Sequence, residues 1–83
     1  MWEIYTKNNC PYCDKAKFLL RDVIEKGEVN IMNISEDPAY FNALMTRNPK
    51  ARTMPQIYKD NNLIGGFTEL DTFLKLNTGE ITL

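Results

Sequence analysis

The order of elements written into this chain predicts an α/β fold. A four-stranded mixed sheet carries three helices, in the order βαβ, then α, then ββα. Three observations predict it. A strand-like stretch, a helical apolar stripe and a second strand-like stretch follow one another in the first half. Two short apolar segments joined by an Asp-Asn turn follow in the second half. A Gly-Gly pair then breaks the last strand and opens a closing helix.

The first strand is Trp2 to Thr6, Trp-Glu-Ile-Tyr-Thr, rich in aromatic and β-branched residues. Lys7-Asn8-Asn9 is polar and turn-like. The first helix starts at about Pro11, which suits a first turn because its missing N–H would have been unpaired there anyway. Ala16, Leu19, Leu20, Val23 and Ile24 recur at helical spacing, and Gly27 stops the helix. Val29 to Ile34 alternates apolar and polar and reads as the second strand. A strand–helix–strand unit of this length makes the two strands parallel.

Ser35-Glu36-Asp37-Pro38 starts the second helix, with Asp37 or Ser35 as the cap and Pro38 in the first turn. That helix carries Tyr40, Phe41, Leu44 and Met45 on one face and ends near Asn48-Pro49. Lys50 to Met54 is a basic connection into Pro55. Gln56-Ile57-Tyr58 is the third strand, Lys59-Asp60-Asn61-Asn62 a turn, and Leu63-Ile64 the start of the fourth strand, paired with the third as a hairpin. The third helix runs from about Phe67 to Leu76, with Phe67, Leu70, Phe73 and Leu74 inward. Residues Asn77 to Leu83 read as a short tail.

Composition narrows the function. The 83 residues suit a single domain, 1–83, and a hydrophobic content of 43% supports a packed core. A net charge of -1 gives no electrostatic case for nucleic acid or a membrane surface. No apolar run reaches the ~18 residues of a membrane span. The first residues lack the basic and apolar regions of a signal peptide. Two cysteines without such a signal point to a reducing compartment, the cytoplasm, where a disulfide is more often catalytic than structural.

Both cysteines lie in Cys10-Pro11-Tyr12-Cys13, at the join of the first strand and first helix. A sulfur at a helix start meets unpaired backbone N–H groups and the positive end of the helix dipole. Such sites bring thiol pKa values down into the range of roughly 3.5–7.5. The second cysteine, about one turn on, can close a small disulfide ring. A structural zinc site needs four ligands, and the chain has no His and no third Cys. Cys-x-x-Cys beside a βαβ pattern reads as a thioredoxin-like redox fold.

Four segments in order then resemble the glutaredoxin family over nearly the whole chain: Ile4-Tyr5-Thr6-Lys7, Cys10-Pro11-Tyr12-Cys13, Thr53-Met54-Pro55-Gln56 and Ile64-Gly65-Gly66-Phe67. The tetrad is that of the dithiol members, and the short chain is most similar to the small bacteriophage ones. The resemblance implies glutathione as electron donor, no bound cofactor, and reduction of protein disulfides and glutathione mixed disulfides by a monomer. It implies disulfide-containing proteins as partners, ribonucleotide reductase among them. Cys10 is then the nucleophile and Cys13 the resolving thiol. Lys7 and Tyr12 line the glutathione groove. Thr53 and Met54 offer backbone groups, and Pro55 is a cis proline facing the cysteines. Gly66, Phe67 and Thr68 hold the γ-glutamyl end. Thr68 and Asp14 depart from the residues common at those positions in relatives.

The residues themselves add that Gly65 and Gly66 allow close backbone approach to a carboxylate at a helix start. Lys7, Arg47, Lys50 and Arg52 form a basic rim suited to the two carboxylates of glutathione, with Lys7 and then Arg52 foremost. Two other functional readings stand beside this one. One is a thioredoxin-like electron carrier reduced by a flavoprotein reductase. The other is a non-catalytic metal or iron–sulfur module that dimerises through Cys10.

Overall fold

The computed structural model describes residues 1–79. Its elements are β1 (Trp2–Thr6), α1 (Pro11–Leu19), α2 (Arg21–Glu25), β2 (Val29–Asn33), α3 (Pro38–Arg47), β3 (Gln56–Lys59), β4 (Asn62–Gly65) and α4 (Phe67–Gly79). The sheet order is β2-β1-β3-β4. β1 and β2 are parallel, with Ile4 beside Ile31, as the connecting helix requires. β1 and β3 are antiparallel, with Ile4 beside Ile57, and β3 and β4 form the expected hairpin. Asp60 and Asn61 turn that hairpin at φ 50° and 68°, the left-handed conformation that Asp and Asn tolerate.

The first predicted helix is divided in two. Leu20, at φ -97° and ψ 11°, leaves helical geometry and separates α1 from α2. Apolar periodicity alone could not reveal this, because Leu20 keeps its inward place at 2% exposure. The Arg21 guanidinium, stacked on the Phe18 ring, donates to the Phe18 carbonyl at the break, 2.9 Å away. At the other end of the chain, α4 runs to Gly79 rather than stopping at Leu76, and the Asn77 amide donates to the Phe73 carbonyl at 2.7 Å. Of the expected tail, 77–79 are therefore helical, and 80–83 lie outside the described residues.

Two apolar layers sandwich the sheet. On one face Trp2, Ile4 and Ile57 pack with Ala16 and Leu20 from the first helical segment and Leu70 from α4. On the other, Tyr5 and Tyr58 pack with Leu44 of α3, flanked by Met32, Ile34, Met45 and Met54. Alternation along β1 explains the division, since successive side chains point to opposite faces. Phe41 departs from its expected place: it is 45% exposed, and Leu44 is the buried residue of α3. Asp37, not Ser35, caps α3, accepting from the Ala39 N–H at 2.9 Å.

Arg47, expected on a basic rim, instead clamps α3 to the sheet. Its guanidinium stacks on Tyr58 at 3.8 Å. It also donates to the Tyr5 hydroxyl at 3.2 Å and to Glu3 at 3.1 Å. Burial pulls its pKa down, but the hydrogen bonds to Tyr5 and Glu3 outweigh that and hold it above the ordinary arginine value. Burial likewise raises Tyr58 above the usual tyrosine range. Replacing Arg47 with Ala should destabilise the fold by about 1–3 kcal/mol, the sum expected of a partly desolvated ring contact and charged hydrogen bonds. Lys at that position should restore only part of the loss, because an ammonium cannot both stack and fork. Thermal unfolding of the two variants checks the ranking.

Candidate active site

Three loops converge at one end of the sheet. The first joins β1 to α1 and carries the cysteines. Asn9 in it adopts φ 54°. The loop is braced from the side: the Asn8 N–H donates to Ser35 Oγ at 3.0 Å, and the Asn33 amide donates to Asn8 Oδ1 at 2.9 Å. Asn33 Oδ1 in turn accepts from the Ser35 N–H at 2.8 Å, so the bend after β2 holds the bend after β1. This brace was not read from the sequence. Polar residues in bends are common, and nothing in their spacing says that two bends meet.

Cys10 is the N-cap of α1, in extended geometry, and its sulfur accepts from the Cys13 N–H at 3.2 Å. The two cysteines are joined as a disulfide, with Cα atoms 5.2 Å apart. Their exposures differ: Cys10 is 7% accessible and Cys13 is 0%. Attack from outside therefore reaches Cys10. Asp14 follows in the first turn, with Lys17 Nζ 3.9 Å from its carboxylate.

The second loop contains the Met54–Pro55 peptide bond, which is cis. The Met54 side chain packs into the α3 layer while its carbonyl oxygen lies 3.6 Å from Cys10 Sγ. Buried Gln56 fixes the loop from behind, its amide donating to the Thr53 carbonyl at 2.8 Å.

The third loop is the Gly65-Gly66 break before α4. Gly65 sits at φ +127°, and a Cβ there would come within 2.7 Å of Glu69 Cγ. Only glycine fits both the conformation and the space. The Gly66 N–H donates to Glu69 Oε1 at 2.8 Å, the glutamate half of a capping box. So one of the N–H groups that sequence reasoning left open for a ligand carboxylate already has a partner from the helix's own first turn. The signal was present: Glu69 stands three residues after Gly66, the spacing of that box.

Between these loops lies a cleft of about 250 Å³ lined by Tyr12, Thr53, Met54, Pro55, Gly66, Phe67, Thr68 and Glu69. Tyr12, 56% exposed, lies beside Phe67 with ring centroids 5.8 Å apart. Lys15 Nζ is 5.0 Å from the Tyr12 centroid and 5.9 Å from that of Phe67, a cation at the cleft edge that the sequence did not single out. Seven of the expected site residues thus meet in one cleft beside the cysteines. Lys7 and Arg52 do not line it and are exposed.

Comparison with known proteins agrees with this geometry. A family model described as glutaredoxin matches residues 3–64. Glutaredoxin 1 of Rickettsia bellii is 43% identical over 72 residues, covering 81% of this chain and 69% of the relative. Glutaredoxin 1 of Rickettsia typhi is 38% identical over 69 residues, and the match spans 64% of its length. Glutaredoxin 3 of Escherichia coli is 40% identical over 72 residues, covering 82% and 78% of the two chains. The solved structure of reduced Escherichia coli glutaredoxin superposes with a TM-score of 0.74 at 26% identity, covering 94% of this chain and 96% of that one. The cysteine pair at the start of α1, the four-stranded sheet and these matches together place the chain in the glutaredoxin family, with Cys10 and Cys13 as the redox pair of a thiol–disulfide oxidoreductase.

Proposed function

We propose that the chain is a glutathione-dependent thiol–disulfide oxidoreductase, acting on protein disulfides and glutathione mixed disulfides in a reducing compartment such as the cytoplasm. The observation that carries this reading is the junction of sulfur and cleft. Cys10 Sγ lies 3.6 Å from the carbonyl of Met54, and Met54 is part of the wall of the cleft.

In the reduced protein the Cys13 N–H and the helix start favour the thiolate of Cys10. That thiolate attacks one sulfur of the target disulfide. A new S–S bond forms to Cys10, and the other target sulfur leaves as a thiolate. With a glutathione mixed disulfide, the adduct on Cys10 is then resolved by a second glutathione, which releases oxidised glutathione. With a protein disulfide, Cys13 attacks Cys10 Sγ, releases the reduced protein and closes the ring. Two glutathione molecules reopen it.

Within this reading the tripeptide runs along Thr53 and Met54, beside the cis Pro55, with Tyr12 covering it. Its γ-glutamyl end meets Gly66, Phe67 and Thr68, and a second site carbonyl or amide comes from the Met54 main chain, since that side chain is committed to the core. Lys7 and Arg52 act from outside the cleft by steering carboxylates, while Lys15 stands nearer, at its aromatic edge. The decisive assay is turnover of a small glutathione mixed disulfide with glutathione as the sole reductant. Activity that required a flavoprotein reductase instead would refute the donor.

Two outcomes follow from this site. Cys13→Ser should keep turnover of small glutathione mixed disulfides within a fewfold of wild type and lose most reduction of protein disulfides. Parallel assays on both substrates check it, and equal loss of both would sink the two-route mechanism. Glu69→Gln should keep the cap, because glutamine serves equally in a capping box, while removing a negative charge from the cleft wall. The KM for the mixed disulfide should then fall about two- to fivefold with kcat unchanged, as suits a partly screened charge worth about 1 kcal/mol or less. A rise in KM would mean that Glu69 attracts the ammonium of the ligand rather than opposing its carboxylates.

A further inference from the structure

Among the described residues, Thr6 Oγ1 is the buried side-chain oxygen or nitrogen without a hydrogen-bond partner. Thr6 is 0% exposed, and its carbonyl is already taken by the Ile34 N–H at 2.8 Å. Buried hydroxyls are seldom left unpaired in native proteins, and a redox role is one of the reasons for an exception.

The topology says what this hydroxyl faces. Alternation along β1 puts Thr6 on the same side as Trp2 and Ile4, the side covered by Ala16 and Leu20. Cys13, Ala16 and Leu20 are spaced three and four residues apart and are all buried, so they share the stripe turned to that layer. β1 ends at Thr6 and α1 begins at Pro11, so the helix folds back over the strand that leads into it. The last inward residue of the strand and the first inward residue of the helix therefore belong to the same end of the layer.

We propose that Thr6 is a positioning residue for the resolving sulfur: its hydroxyl pairs with Cys13 in the dithiol state and gives up that partner in the disulfide state. This rests on the redox cycling of Cys10 and Cys13, and not on glutathione being the donor. Reduction breaks the Cys10–Cys13 bond with two electrons and two protons, while two small thiols are oxidised to one disulfide. Cys13 then carries either a proton or a negative charge. A hydroxyl accepts from the thiol and donates to the thiolate, so it serves both forms. In the disulfide, Cys13 has no proton to give, and its sulfur is a weak acceptor. The unpaired oxygen of the oxidised structure is thus a bias toward the dithiol.

The test uses the whole chain equilibrated against mixtures of reduced and oxidised glutathione, read by alkylation and mass spectrometry. The position of that equilibrium does not depend on which donor the protein uses in catalysis. Thr6→Val, the same shape without the hydroxyl, should shift the equilibrium about three- to tenfold toward the disulfide, the range expected for one hydrogen bond. Thr6→Ser should stay within about twofold of wild type on the same grounds. The valine variant should also melt at a higher temperature than wild type when oxidised, and gain less or nothing when reduced. If valine does not fold, Thr6→Ala carries the same expectation for the equilibrium. An unchanged equilibrium, a shift toward the dithiol, or a serine variant that moves as far as valine overturns the proposal.

Discussion

A sulfur held at the open end of a short helix is the constraint on which the rest of this structure depends. The Cys13 N–H to Cys10 Sγ bond sets it, and it has value only if the helix start stays in one place. Two devices keep it there. The Asn8–Asn33–Ser35 brace ties the cysteine loop to the bend after β2. The stripe of Cys13, Ala16 and Leu20 seats α1 on the sheet. A thiolate is favoured by only the first turn of helix, because the dipole's effect falls off beyond it. The first turn of the nine-residue α1 is therefore sufficient for the chemistry, and its remaining length serves packing.

The opposite wall of the site is held from the other side of the sheet. Met54 places its side chain in the α3 layer and its carbonyl toward Cys10, so one residue links the core to the reacting atom. Arg47 secures that layer by joining α3 to β1 and β3. Its positive charge, which a sequence reader assigns to ligand steering, is used up in the fold. The same economy holds at α4, where Glu69 satisfies the Gly66 N–H and leaves a ligand the rest of the helix start.

What was legible in the sequence was whatever depends on period and punctuation. Strand limits in β1, the Pro38 helix start and the Asp60-Asn61 turn follow from local residue chemistry, and the structure has them where those residues stand. The cysteines and the segments around Pro55 and Gly66 were legible because their order along the chain is that of a known family. What was not legible depends on contacts between distant residues. Nothing local to Arg47 reveals Tyr58 beneath it, and nothing local to Asn8 reveals Ser35 beside it. The break at Leu20 hid for a different reason: its side chain keeps the helical pattern while its backbone departs from it.

That break has a consequence for how the molecule opens. α2 buries none of its five residues, whereas α1 buries Cys13 and Ala16. Local unfolding draws first on elements with few buried apolar contacts. Leu20 bends the backbone between α2 and the segment that carries the cysteines, while its N–H still donates to the Ala16 carbonyl and its carbonyl accepts from the Ile24 N–H. Amide protons of 21–25 should therefore exchange with solvent sooner than those of the active-site turn. Fraying of this region thus starts on the far side of Leu20 from the sulfur, where Val23 and Ile24 only partly enter the core.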